Sequence, residues 1–317
     1  MNKNALIYVA GHRGLVGSAL LRKLNAVGYN NIIVRDHAQL DLINQKDVND
    51  FFHVERPTYV FLAAAKVGGI WANSTYPADF IYKNIAIQTN VIDAAYRYGV
   101  QRMLFLGSSC IYPRDCIQPM QEEYFLTGPL EKSHLPYAIA KIAGIEMCRA
   151  YNRQYGTKFL SVMPTNLYGP NDNYNLDTSH VLPALLRKLH EAKITHAPDV
   201  TIWGTGKAHR EFLYVDDFAD ACNFIMNLNH SSFQNLLDDS KAPGLINVGS
   251  GEDLTIDALV NVIANIVGFE GNIKKDLQKS DGVPRKLLDT SRLNRLGWGS
   301  RVTLEDGLQM TYRAFLK

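Results

Sequence analysis

The chain reads as an α/β protein built on a doubly wound parallel sheet, and three features of its sequence say so. A short apolar run, Ala5-Leu-Ile-Tyr-Val-Ala10, opens directly into a glycine turn and then into a helical periodicity. Short buried strands then alternate with amphipathic helices, a pattern that requires right-handed crossovers and a parallel sheet. Finally, 317 residues supply enough apolar surface for one large or two modest cores.

The elements follow in order. After the glycines, Leu15, Val16, Ala19, Leu20 and Leu24 fall on one side of a helix. Strands are predicted at Asn31–Arg35, Thr58–Ala64, Arg102–Gly107 and Lys158–Met163, with helices near Gln45–Val54, Ala78–Gly99 and Pro136–Tyr155. From about Pro170 the loops lengthen and elements such as Val200–Trp203, Glu211–Val215 and Ile246–Val248 are brief. This texture predicts a dinucleotide-binding domain over residues 1–170 and a smaller C-terminal α/β lobe, mainly 171–317, that covers a substrate. Later segments, about 207–250, are expected to cross back to the first domain. No internal repeat or low-complexity tract interrupts the pattern.

Composition excludes several classes. A net charge of +2 without any Lys/Arg run leaves no nucleic-acid footprint. No apolar stretch reaches membrane-spanning length, and Met1-Asn-Lys-Asn is expected to lead into the first strand rather than act as an export signal. Cys110, Cys116, Cys148 and Cys222 have neither metal-ligand spacing nor a disulfide framework. The expectation is no metal, and reduced thiols in a cytoplasm; Cys116 and Cys148 read as structural.

Two motifs carry chemistry. Gly11-His12-Arg13-Gly14-Leu15-Val16-Gly17, set between a strand and a helix, would seat a pyrophosphate on the helix N-terminus in a Rossmann-type site. After the second strand comes Val34-Arg35-Asp36-His37. Arg13 and Arg35 favour the 2′-phosphate of NADPH, while the negative charge of Asp36 keeps NADH open. The second motif is Tyr137-Ala-Ile-Ala-Lys141, which puts a phenol and an ammonium on one helix face. Such a Lys is expected to draw the Tyr pKa down towards the working pH. A hydroxyl from Gly107-Ser108-Ser109-Cys110 would hold a carbonyl oxygen against that phenol. Together these groups would move a proton on and off an oxygen while a hydride moves on the adjacent carbon.

The same motifs, with Ala63-Ala-Ala-Lys-Val-Gly-Gly-Ile70, Gly107-Ser-Ser-Cys-Ile-Tyr-Pro113, Met163-Pro-Thr-Asn-Leu-Tyr-Gly-Pro170, Ser179-His180, Arg210-Glu-Phe212 and Pro284-Arg-Lys-Leu-Leu-Asp289, run nearly the full length of the chain. In them the chain resembles the extended short-chain dehydrogenase/reductases, and especially the GDP-L-fucose synthase family of epimerase-reductases. The resemblance implies NADPH-dependent conversion of a GDP-4-keto-6-deoxy sugar. A ketone at C4 acidifies both C3 and C5, so one site can epimerise two carbons and then reduce the third. By this resemblance Cys110 and His180 are the epimerising pair, Tyr137 donates a proton, Lys141 tunes it, and Ser108 binds the C4 oxygen. It further implies an adenine contact at Asp41 and Leu42 and a cofactor cleft lined by Ala63, Ala64, Ala65, Leu106, Gly107 and Ser109. Pro164, Thr165, Asn166 and Leu167 would lie beside the nicotinamide, with His180 nearby.

On the substrate side, Arg210 is the leading diphosphate ligand, with Lys188 and Lys286 supplementary. Trp203 offers an aromatic surface and Asp281 an acceptor; Ser109, Asn166 and Val181 complete the set. His180 or Ser179 could instead cap the helix that begins at Val181. The resemblance also implies a homodimer through Ala78–Gly99 and Pro136–Tyr155, with Ile81, Ile85 and Ile92 available. Two other readings stay open: a relative acting on a colitose-type dideoxy or heptose GDP-4-keto sugar, and a non-catalytic dinucleotide-binding regulator. The regulator is disfavoured because Ser108, Tyr137 and Lys141 are all kept.

Overall fold

A computed structural model of the chain describes residues 1–317 throughout. Its first strand, β1 (Ile7–Ala10), is buried at every position, as a four-residue apolar run inside a two-sided sheet must be. The chain then forms α1 (Leu15–Ala26), β2 (Ile32–Ile33), α2 (Gln45–Glu55), β3 (Tyr59–Leu62), α3 (Ile70–Thr75), α4 (Pro77–Arg97) and β4 (Arg102–Leu106). A 3-10 turn at Ser109–Ile111 follows β4, and another at Lys132–His134 leads into α5 (Leu135–Tyr155) and β5 (Phe159–Pro164). Local signals explain the boundaries. The Asn44 side chain caps α2, and Pro136 sits in the first turn of α5, whose far end stops at left-handed Gly156.

The second half is built of β6 (Asn166–Tyr168), α6 (Val181–Ile194), β7 (Asp199–Trp203), β8 (His209–Tyr214), α7 (Val215–Met226), α8 (His230–Leu237) and β9 (Leu245–Val248). It ends with β10 (Asp253–Thr255), α9 (Ile256–Val267), β11 (Asn272–Asp276), β12 (Arg285–Lys286), α10 (Ser291–Arg295) and α11 (Leu304–Phe315).

Six parallel strands form the main sheet in the order β2-β1-β3-β4-β5-β9. Strand order reverses beside β1, and ligands of such sheets bind at the carboxyl strand ends near that point. One face is packed by α1 and α7 through Leu20, Leu24, Phe218 and Ile225; the other by α2, α4 and α5 through Phe52, Val91, Ile92 and Ile145. α5 lies unusually close to the sheet. A Cβ on Gly144 would stand 2.4 Å from the Phe105 ring and 2.8 Å from Gln88 Oε1, so only glycine permits this approach. Gln88 Nε2 donates to the Ala140 carbonyl (2.6 Å), bracing α5 against α4. A third core joins α6, α9 and β8 through Leu186, Leu189, Leu259, Ile263 and Phe212. There β8 pairs with β6, β10 and β12, while β7 pairs with β11.

The structure departs from the sequence expectations in specific places. β2 stops at Ile33 instead of Arg35, because the Val34 carbonyl accepts from the Arg35 guanidinium (2.8 Å) rather than from β1. Four short strands, β6, β10, β11 and β12, were not expected; the Asn-Ile-Lys-Lys-Asp of β11 shows how little apolar alternation they carry. Ile92 is fully buried against the sheet and so presents nothing for another subunit. No helix is long and apolar enough to cross a membrane.

Candidate active site

One cleft of about 900 Å³ runs along the carboxyl ends of β1, β3, β4 and β5 and under the second lobe. Every residue singled out above as catalytic, cofactor-binding or substrate-binding lines it, from Gly11 to Lys286.

At one end lies the glycine turn. Gly11 takes φ +85°, and a Cβ there would stand 2.8 Å from the Ala64 nitrogen; a Cβ on Gly17 would be 2.1 Å from the Gly11 carbonyl oxygen. These clashes are with backbone, which cannot yield. The glycines therefore let α1 start tight against the ends of β1 and β3 with no side chain capping its first turn. Its amides face the cleft, which is the cradle a diphosphate requires. Arg13 reaches Asp36 (2.9 Å), and Arg35 is paired with Glu55 (2.6 Å) over the Phe51 ring. Both guanidinium groups thus lie along the cleft, each balanced by an acid.

The centre is set by β4 and α5. Ser108 is extended, and its Oγ accepts from the Cys110 amide (3.2 Å), capping the turn that carries Cys110 into the cleft. Ser108 also hydrogen-bonds the Tyr137 hydroxyl, and the Tyr137 ring meets Phe80 edge-on at 6.1 Å. Burial, reinforced by Cys110, pushes the Tyr137 phenol above its ordinary value. The expected lowering by Lys141 is absent. Lys141 Nζ donates instead to the Leu106 carbonyl (2.7 Å), lies 5.9 Å from the Tyr137 ring centre, and is itself brought down to about 7 by burial.

Cys110 behaves differently from the other thiols. Burial opposes its ionisation, but Lys286, His134 and Ser108 together outweigh that cost and draw its pKa well below the usual thiol range. Lys286 Nζ donates to the sulfur at 3.6 Å across 176 residues of chain. Expected from the sequence as a supplementary diphosphate ligand, this lysine here stands with its ammonium against the thiol. Burial raises Cys148 to about 12, and Cys222 is likewise raised, as inert core thiols.

His180 ends the loop before α6, but no side chain caps that helix, so neither Ser179 nor His180 plays the alternative role. The imidazole opens into the cleft, where its enclosure lowers its pKa, partly offset by Cys110. Asp281 also departs from expectation. Its carboxylate accepts from the Thr205 amide and hydroxyl (2.7 Å each), leaving it little to offer a sugar or base. Its carbonyl accepts from Arg210 Nη2 (3.0 Å) and so aims that guanidinium. Lys188 Nζ lies 5.7 Å from the Trp203 ring, which is nearly half exposed at the cleft mouth. Sequence reading missed His134, whose only signal was its place just before Pro136 and Tyr137.

Residues 7–249 match the model of the NAD dependent epimerase/dehydratase family. The chain is 54% identical over 316 residues to GDP-L-fucose synthase 1 of Arabidopsis thaliana, covering 100% of this chain and 94% of that one. It is 52% identical over 313 residues to GDP-L-fucose synthase of Escherichia coli (strain K12), covering 98% and 96%. Among solved structures, a GDP-mannoheptose C4 reductase from Campylobacter jejuni with NADP bound superposes with a TM-score of 0.89 at 39% identity, covering 100% of both chains. The glycine cradle, the Tyr137–Lys141 face and this full-length likeness converge, and the chain belongs to the NAD dependent epimerase/dehydratase family, within its GDP-L-fucose synthase group.

Proposed function

We propose that the chain epimerises C3 and C5 of GDP-4-keto-6-deoxy-D-mannose and reduces C4, yielding GDP-L-fucose. The observation that carries this reading is the placing of both a lowered thiol, Cys110, and a free imidazole, His180, in the cleft that holds Ser108 and Tyr137. A simple reductase needs only the last two. NADPH, when bound, supplies the hydride to C4. The α1 amides would hold its diphosphate, Arg13 and Arg35 its 2′-phosphate, Asp41 and Leu42 its adenine. Ala63–Ala65, Leu106–Ser109 and Pro164–Leu167 would wall the reacting end.

The chain's own groups do the proton work. Ser108 holds the C4 oxygen and stabilises negative charge there as an oxyanion hole does. The Cys110 thiolate takes the proton from carbon, which its lowered pKa suits, and His180 returns one from the other ring face. Tyr137, kept protonated by burial, donates to the C4 oxygen. Lys141 fixes the end of β4 through Leu106 and stands behind Tyr137. Arg210 and Lys188 would grip the substrate diphosphate, and Trp203 would stack on its base.

We also infer a homodimer through α4 and α5, whose Tyr82, Ile85, Ile139 and Tyr155 remain exposed, working in a reducing cytoplasm. The test is product analysis after incubation with substrate and NADPH in heavy water. Deuterium at both C3 and C5 of a GDP-L-fucose product is expected. Reduction with deuterium at one carbon or none would move the substrate to a dideoxy or heptose sugar.

A further inference from the structure

Two epimerisations by one thiolate raise a problem of proton supply. Once Cys110 has taken the first proton it is a thiol, and it cannot take the second until that proton leaves. We propose that His134, with Ser133 and Glu131 behind it, is the relay that returns Cys110 to thiolate between the two epimerisations. The inference rests on the epimerase-reductase reading above and adds to it a residue set that serves the base.

The geometry supplies the path. His134 closes the 3-10 turn just before α5, and Glu131, Ser133 and His134 all line the cleft wall. The His134 ring stands beside Cys110 on the cleft wall and favours its thiolate, while its Nδ1 is 3.3 Å from Ser133 Oγ. That leaves Nε2 for the sulfur. Ser133 in turn donates its amide to the Glu131 carboxylate (3.1 Å), which holds that carboxylate beside the Ser133 hydroxyl. Glu131 Oε2 lies 3.4 Å from Arg114, whose side chain is nearly half exposed. The chain of groups therefore runs from an enclosed sulfur to the surface.

The tautomer follows from the partners. With Ser133 donating to Glu131, its oxygen accepts from His134 Nδ1–H, and Nε2 is an acceptor facing the thiol. In the relay step the S–H bond breaks as an N–H bond forms at Nε2. The Nδ1–H bond breaks as an O–H bond forms on Ser133, whose own proton passes to Glu131. Charge moves outward by one proton and nothing is oxidised or reduced. The other groups facing Cys110 are Lys286, Arg210, Ser108, His180 and Tyr137. Lys286 and Arg210 favour the thiolate by charge, and in the reading above the remaining three are occupied by the sugar, so none offers an exit. α3 steadies the relay from outside, with Ser74 Oγ donating to the Ser133 carbonyl (3.5 Å).

The experiment compares wild type, His134→Asn and Ser133→Ala, each with NADPH and GDP-4-keto-6-deoxy-D-mannose in heavy water. Deuterium at each carbon, NADPH oxidation and the effect of added free imidazole are measured. A positioned proton-transfer group contributes ~10²–10⁴-fold, and a group feeding it should reach about tenfold or more. In His134→Asn the second exchange should therefore slow by at least about tenfold relative to the first, so that reduced product labelled at one carbon accumulates. Imidazole should restore the doubly labelled product, and the KM for NADPH should stay fixed. Ser133→Ala, which leaves the His134–Cys110 contact in place, should move the label in the same direction. Wild type labelled twice, with both variants labelled twice at the wild-type rate, overturns the relay alone. A loss that imidazole does not restore makes His134 a packing residue and overturns it too. Wild type labelled at fewer than two carbons overturns the reading and the relay together.

Discussion

Replacing Tyr137 with Phe separates the two half-reactions assigned to this cleft. The change deletes one hydroxyl whose partner is Ser108 and leaves the ring edge-on to Phe80. A buried hydrogen bond of this kind contributes about 1 kcal/mol, a fall in Tm of about 2 °C in a chain of this size. The catalytic cost is far larger. Loss of a positioned proton donor removes ~10²–10⁴-fold in rate, or about 3–5 kcal/mol of barrier lowering. NADPH oxidation followed by absorbance should fall by that factor. Deuterium entry at C3 and C5 should persist within a few-fold, because Cys110, His180 and Ser108 are untouched. The Tm gives the control. If exchange falls in step with reduction while the Tm holds, Tyr137 belongs to both steps and the division of labour argued here is wrong. If reduction survives within tenfold, another donor must exist.

Two more perturbations test the frame around that chemistry. Gly17→Ala forces a methyl to within 2.1 Å of the Gly11 carbonyl oxygen, and should weaken NADPH binding measured by fluorescence titration at least tenfold; unaltered affinity would mean the turn is not the diphosphate cradle. Asp172 is half-buried with one carboxylate oxygen enclosed and unpartnered, and its partial burial raises its pKa to about 7. A carboxyl raised in the folded state stabilises below its unfolded value near 4, and that stability is lost as pH climbs through about 7. Asp172→Asn should accordingly match wild type in stability at pH 4 and exceed it at pH 8 by about 1–2 kcal/mol once partial exposure is allowed for, a rise in Tm of about 2–4 °C. Equal Tm values at pH 8 would sink this account.

What could be seen in the sequence followed from local rules. The first strand, the glycine turn and α1 announce themselves because apolar run, spacing and helical period are all contiguous. Ser108, Cys110, Tyr137 and Lys141 were legible because strand ends and helix faces have fixed geometry. The rest depends on contacts that no spacing encodes. Lys286 meets Cys110 only because β12 joins β8 at the cleft wall, and Asp281 is used up by Thr205 on a distant turn. Polar strands of two to five residues carry too few side chains to show a period. His134 looked like a loop residue until the fold brought the turn before α5 against the turn after β4.

The place of β9 in the main sheet has a consequence for the chain as it leaves the ribosome. β5 is buried along Phe159–Met163 and is complete at Pro164, but its outer neighbour begins only at Leu245, 81 residues later. At a synthesis rate of roughly 5–20 residues per second, that interval lasts on the order of 4–16 s. Throughout it the nascent sheet presents an apolar strand with one unsatisfied backbone edge, the kind of template on which other chains add. Until Leu245–Val248 arrives to close that edge, the growing chain carries an open strand on which aggregation can start.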